Sequence, residues 1–199
     1  MSKTVDYYFD FSSSYSYIGL YKLLELAERY ELQVNWKPIA LGAIFKNLNH
    51  APPGSDSVKG RYIWHDVQRS AAEQGIPYHW PEPFPYNSMT AARIYWYLAD
   101  KGAAVATDWM KAVFNASFGQ GKDCSNPETL AEIAAELGHD GQELLAATKD
   151  DAVKMKLQQV TGEAMERGVF GAPTFFFDGE MYWGADRLNQ MERQVLGND

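Results

Sequence analysis

The sequence predicts an α/β fold in which a strand–helix–strand unit at the start and a strand–strand–helix unit at the end enclose a long helical block. Three observations carry that prediction. Apolar residues alternate with period two near both ends of the chain, the pattern of half-buried strands. A helical stripe follows the first of these strands directly, with a second strand close behind. Near the end, Asp178-Gly179 sits between two short aromatic runs, which is the strongest short-range hairpin signal.

Taken in order, Val5, Tyr7, Phe9 and Phe11 alternate with Asp6, Tyr8 and Asp10 and predict the first strand. From Ser14 to Tyr30 the period becomes helical, with Ile18, Leu20, Leu23, Leu24, Leu26 and Ala27 forming one apolar stripe. Leu32, Val34 and Trp36 then alternate with Gln33, Asn35 and Lys37, and Pro38 limits that strand. A βαβ unit this short favours a parallel pair. After Pro52-Pro53-Gly54, helices dominate from about residue 58 to 167. One runs from Lys59 to Gln74 and stops at Gly75-Ile76-Pro77; another starts near Asn87-Ser88 and carries Ile94, Tyr95, Tyr97 and Leu98. Asn126-Pro127-Glu128 combines a cap, a proline at the first helical position and an acidic first turn, and Gly138 closes that helix. Asp140 and Asp150 cap two more, the second ending at Gly168. Thr174–Phe177 and Glu180–Trp183 form the hairpin, Gly184 breaks it, and Asp186 to Leu196 closes the chain as a helix with Leu188, Met191 and Val195 inward. This order is that of a thioredoxin-like fold: residues 1–40 plus 165–199 supply the βαβ and ββα halves, and residues 41–164 form a helical insertion.

Composition narrows the functional classes. The 199 residues are 46% hydrophobic and 14% aromatic, enough for a substantial core. A formal net charge of -8 argues against nucleic-acid or anionic-membrane partners, though a small basic pocket for an anionic substrate stays compatible with it. Cys124 is the only cysteine, so no internal disulfide forms, which suits a reducing compartment. The first residues lack a charged region followed by an apolar one, and no apolar run approaches a bilayer's thickness. The expected location is cytoplasmic. His50, His65, His79 and His139 show no metal-ligand spacing with one another or with Cys124, so no metal site is expected.

The chemistry concentrates at Asp10-Phe11-Ser12-Ser13-Ser14-Tyr15-Ser16, where the first strand runs into the first helix. A thioredoxin-like oxidoreductase would carry Cys-x-x-Cys there; this chain has Ser13 and Ser16, so dithiol chemistry is absent. If thiol chemistry is retained, the sulfur comes from outside, and glutathione is the obvious donor. A helix N-terminus presents unpaired N–H groups and the positive end of the helix dipole, and a thiol held there has a lowered pKa. A serine hydroxyl in that position can donate a hydrogen bond to the thiolate, worth about 1.5–3 kcal/mol. The competing reading is that Ser12 to Ser14 only cap the helix. Ala172-Pro173 precedes the Phe-rich strand, where the fold expects a cis-proline facing that same helix end.

Phe9-Asp10-Phe11-Ser12-Ser13-Ser14-Tyr15-Ser16-Tyr17, Gly171-Ala172-Pro173-Thr174-Phe175 and Trp183-Gly184-Ala185-Asp186-Arg187-Leu188 resemble the 2-hydroxychromene-2-carboxylate isomerases. These stand with the kappa-class glutathione transferases in the DsbA-like branch of the thioredoxin fold. The resemblance implies a glutathione-dependent isomerase of a small aromatic keto-acid, working as a homodimer. It implies Ser13 as the active-site serine and places Ala172, before Pro173, against the cysteinyl part of glutathione. Ala185, Asp186 and Arg187 would hold the γ-glutamyl group, through helix N–H groups and the Asp186 carboxylate. Lys59 would reach the glycyl carboxylate. Where the family has a glutathione-binding asparagine, nine residues before that lysine, this chain has His50, which supplies a donor in its place unless Asn49 shifts in. Ser12 and Ser14 replace the family's usual apolar residue and proline. Two other readings stay open: a kappa-like transferase that conjugates glutathione to electrophiles, and a catalytically silent thioredoxin-fold protein that binds a peptide at the cis-proline edge.

Overall fold

A computed structural model of the chain describes residues 3–197. Met1, Ser2, Asn198 and Asp199, at the ends of the expected 1–40 and 165–199 segments, lie outside the described residues. The elements run β1 (Thr4–Phe9), α1 (Ser14–Tyr30), β2 (Gln33–Pro38), α2 (Leu41–Asn47), α3 (Val58–Gln74), α4 (Met89–Ala99) and α5 (Ala103–Phe114). A π-turn (Asn115–Gly119) continues α5; α6 (Pro127–Glu136), α7 (Gly141–Ala147) and α8 (Asp151–Glu166) follow. The chain closes with β3 (Thr174–Phe177), β4 (Glu180–Trp183), a 3₁₀ turn (Ala185–Arg187) and α9 (Leu188–Val195). Helices α2 to α8 are therefore inserted between β2 and β3, as the sequence predicts.

The sheet order is β2-β1-β3-β4. β1 pairs parallel with β2, while β3 runs antiparallel to both β1 and β4. Because β1 and β3 are central, they are covered on both faces. Val5, Tyr7 and Phe9 point into the main core with α1, α4 and α5, whereas Tyr8 and Phe176 point to a smaller cluster with Ile39, Ile44, Val160 and Val169. Tyr7 stacks between Phe9 and Phe175, with ring centroids 5.0 and 4.8 Å away. The main core continues from the sheet into the insertion through Trp109, Phe114 and Phe118, so the helical block and the strands bury their apolar faces together.

Three local differences from the sequence reading have physical causes. The first strand stops at Phe9 rather than reaching Phe11, because the buried Asp10 turns the chain into the loop before α1. The short helix α2 was not expected. Its first turn lacks a capping side chain of its own, and its Leu41 N–H is met instead by Asp10 Oδ2 at 2.8 Å. The closing helix begins at Leu188 rather than Asp186, since Ala185–Arg187 makes a single 3₁₀ turn without a side-chain cap.

Candidate active site

Ser13 is the N-cap of α1. Its backbone is extended, and its Oγ accepts from the Ser16 N–H at 3.1 Å. The same hydroxyl donates to the Ala172 carbonyl at 3.1 Å, across 159 residues of sequence. The capping reading and the active-site reading of Ser13 therefore describe one geometry: a capped helix whose capping oxygen faces the loop before β3. The Ala172–Pro173 peptide bond is cis, as expected. Pro173 is buried and Ala172 half-buried. The first-turn amides of Ser14 and Tyr15 have no intrahelical acceptor, and the dipole of a 17-residue helix favours an anion beside them.

Gly19 explains how closely α1 approaches this loop. A Cβ there would come within 3.1 Å of Phe175, 3.4 Å of Pro173 and 3.6 Å of Ala185. The hydrogen on Gly19 thus lets α1, the proline loop and the 3₁₀ turn converge.

A cleft of about 1100 Å³ opens beside that convergence, between α1, α3 and the segment from Trp183 to Asn189. Ala172, Pro173, Ala185, Asp186 and Arg187, all expected from sequence to bind the cofactor, line it together. Asp186 is well exposed and pairs with Arg187 at 3.0 Å. Lys59 lies on the first turn of α3 and is exposed; His50 is also exposed, its ring edge-on to Phe45 at 5.0 Å. Neither lines the cleft. Among the aromatics, Tyr15 lines this cleft, whereas Trp64, Trp80 and Phe84 border a second hollow of about 410 Å³ that also holds Arg61. Tyr86 is buried and Trp96 donates to the Pro38 carbonyl.

The cleft wall contributed by α3 is not among the residues expected from the sequence. Tyr15 donates to Asp66 Oδ2 at 2.7 Å, joining the start of α1 to the middle of α3. Burial above all, and then the bond to Asp66, push the Tyr15 phenol well above its ordinary range. Burial alone would raise the Asp66 carboxyl, but hydrogen bonds from Arg69 and Tyr15 outweigh it and hold that group below the usual carboxylate range. Tyr62, Asp66, Ser70 and Glu73 form one stripe on α3 facing the cleft; their spacing of three and four residues was a legible signal. Trp183, half exposed, closes the other wall. Its indole lies against Gly171, where a side chain would collide with it, and is backed by Phe170 at 4.7 Å.

A serine in place of the redox cysteines, a facing cis-proline loop and an adjoining cleft define a thioredoxin-fold site without a dithiol of its own. The family comparison agrees: residues 4–196 match the DSBA-like thioredoxin domain, and the chain belongs to that family. Among its relatives are the 2-hydroxychromene-2-carboxylate isomerases of Sphingobium xenophagum, 31% identical across 98% of this chain and 100% of the relative, and of Pseudomonas putida, 33% identical across 94% and 92%. Glutathione S-transferase kappa 1 of Homo sapiens is 24% identical across 99% of this chain and 92% of the relative. Among solved structures, that of a 2-hydroxychromene-2-carboxylate isomerase superposes with a TM-score of 0.86, at 32% identity over 98% of this chain and 99% of that one. Within the DSBA-like family, the chain stands with these isomerases.

Proposed function

We propose that this protein is a glutathione-dependent isomerase that converts 2-hydroxychromene-2-carboxylate to trans-o-hydroxybenzylidenepyruvate, or acts in the same way on a closely related aromatic ring-opening intermediate. The observation that carries the reading is the Ser13 hydroxyl, held at the N-terminus of α1 and 3.1 Å from the Ala172 carbonyl, in a chain similar along nearly its whole length to isomerases of that name.

The donor set fits glutathione. An exogenous thiolate needs hydrogen-bond donors and a favourable dipole, and the first turn of α1 has both. A tripeptide needs a backbone edge to lie along, and Ala172, half-buried before the cis-proline and lining the cleft, is where it would lie. Its γ-glutamyl end needs a carboxylate and a cation, and Asp186 and Arg187 supply this pair on the cleft wall. Bound there, glutathione would supply a thiolate that adds reversibly to the substrate's conjugated system, so that the former double bond can rotate before the sulfur leaves.

The chain's own residues do the rest. Ser13 turns its hydroxyl from the Ala172 carbonyl toward the sulfur and stabilises the anionic form. Tyr15 and Trp183 present aromatic faces for a flat substrate, with Tyr62 exposed on the opposite wall. Lys59 and His50 lie outside the cleft lining, so their assignment to the glycyl end rests on resemblance and requires the segment between α2 and α3 to approach the cofactor. We take the working unit to be a homodimer, following the same resemblance, and its location to be the cytoplasm, following the composition.

The test is a paired assay of wild type and Ser13→Ala with glutathione and 2-hydroxychromene-2-carboxylate. Wild type is expected to isomerise without consuming glutathione, and Ser13→Ala to lose about 10- to 100-fold in kcat, the value of one hydrogen bond to a charged sulfur. Stoichiometric loss of glutathione would show the kappa-like transferase instead. Absence of glutathione binding would leave the peptide-binding reading.

A further inference from the structure

The carboxylate of Asp10 is the most heavily bonded side chain near the site, and the chemistry above does not use it. It is 3% exposed. Oδ1 accepts from the Ser12 N–H at 2.8 Å, the Ser12 hydroxyl at 2.7 Å and the Ser88 hydroxyl at 2.6 Å. Oδ2 accepts from the Leu41 N–H at 2.8 Å. Donors thus arrive from three separate segments: the loop that carries Ser13, the start of α2 and the start of α4.

Two details indicate that this arrangement serves the loop. Ser88 occupies the N-cap position of α4, yet its side chain makes no capping bond there; its hydroxyl is committed to Asp10 instead. The helix forgoes a cap worth about 1 kcal/mol so that the loop can be gripped from the insertion. The second detail is where the grip acts. Asp10 receives the Ser13 N–H on its own carbonyl at 2.9 Å, and its side chain fixes Ser12, the neighbour of Ser13. Tyr86, also from the insertion, donates to the Phe11 carbonyl in the same loop. Every residue from Asp10 to Ser13 is therefore tied before Ser13 reaches its own partner.

We propose that Asp10 is a positioning residue for Ser13: gathering donors from the insertion and from α2 onto one carboxylate, it sets the loop so that the Ser13 hydroxyl meets the thiolate. This rests on the reading that glutathione binds as thiolate beside Ser13. A hydroxyl aimed at an anion loses most of its value when misaligned, and second-layer partners of this kind orient the groups that touch the ligand.

The experiment is a double-mutant cycle on the bound thiol. The pKa of glutathione on the enzyme is read from thiolate absorbance in a pH titration for wild type, Asp10→Asn, Ser13→Ala and the double variant, with calorimetric Kd and melting temperature for each. Asp10→Asn keeps the shape but replaces one acceptor oxygen. It is expected to lower the thiolate fraction at a fixed pH below the thiol pKa by about tenfold, to leave Kd for total glutathione changed by less, and to add nothing in the Ser13→Ala background. An Asp10→Asn protein that folds but leaves the thiol pKa at the wild-type value would overturn the proposal. So would a shift that adds in full to that of Ser13→Ala, because Asp10 would then act independently of Ser13. Should Asp10→Asn fail to fold, Ser88→Ala, which removes one donor from outside the loop, replaces it with the same expected direction and the same overturning results. Wild type that binds no glutathione defeats the proposed function and this role with it, an outcome distinct from normal binding with an unmoved thiol pKa.

Discussion

The Ser13 hydroxyl accepts from the Ser16 amide and donates to the Ala172 carbonyl, so its proton must leave a backbone oxygen to serve a thiolate. That exchange favours the thiolate, because a hydrogen bond to a charged acceptor is about twice as strong as one between neutral groups. The protein's own sulfur is withheld from such chemistry. Cys124 is fully buried, its Sγ near the Val113 carbonyl at 3.8 Å. Burial, with a smaller contribution from the Asp123 charge, pushes the Cys124 thiol up to about 12. Since thiolate is the reactive species, the native protein at mildly alkaline pH is expected to resist a disulfide reagent such as Ellman's. One thiol per chain should appear on unfolding, and Cys124→Ala should keep wild-type turnover. Rapid stoichiometric labelling of the folded protein would contradict this, and with a single cysteine in the chain its source would be unambiguous.

At the scale of elements, α1 decides the geometry of the site, and Gly19 decides how near α1 sits. Gly19→Val adds a branched side chain where a single Cβ already meets Phe175 at 3.1 Å. It is expected to cost about 1–3 kcal/mol of stability, read by chemical denaturation, and to lower kcat by widening the gap between Ser13 and Ala172. Gly162→Ala is the control: within α8 a Cβ there meets nothing within 4 Å, so the helix should gain up to about 1 kcal/mol with unchanged activity. Equal effects of the two substitutions would refute the packing argument. The elements that fix this geometry were largely legible in the sequence. α1 was read with its bounds, as were the parallel β1–β2 pair and the Asp178-Gly179 hairpin, because each is written in local periodicity, capping or turn chemistry. What escaped depends on distant partners. α2 receives its first-turn acceptor from Asp10, 31 residues earlier, which no local pattern discloses. The Tyr15–Asp66 bond spans 51 residues; the cleft wall on α3 differs from these, because its spacing of three and four residues is local and only its role as a wall depends on what faces it.

For the whole molecule, the junction between sheet and insertion gathers on Asp6. Its carboxylate in β1 takes a hydrogen bond from Asn35 at 2.8 Å and an ion pair from Lys37 at 3.2 Å, both in β2. Arg167, just past α8, pairs with it at 2.5 Å while lying over the Phe176 ring of β3 at 3.8 Å. One side chain therefore ties three strands to the last inserted helix. Burial alone would raise the Asp6 carboxyl, but Asn35, Arg167 and Lys37 together outweigh it and hold the group below its ordinary value of 3.8. The sign follows from linkage. A carboxyl whose folded pKa is depressed binds its proton more weakly in the native state, so its contribution is fully present above the unfolded pKa and is lost as pH falls through the folded one. Urea midpoints measured from neutral pH down to about pH 2 should thus fall on the acid side, with part of the fall due to Asp6. Asp6→Asn should be less stable than wild type at neutral pH, because Lys37 and Arg167 keep their charges without the carboxylate. The gap between the two proteins should stay constant above about pH 5 and narrow below about pH 4, where Asp6 of the unfolded wild-type chain takes up its proton before the native one does. Stability curves that remain parallel down to the acid limit would mean that Asp6 contributes through shape alone.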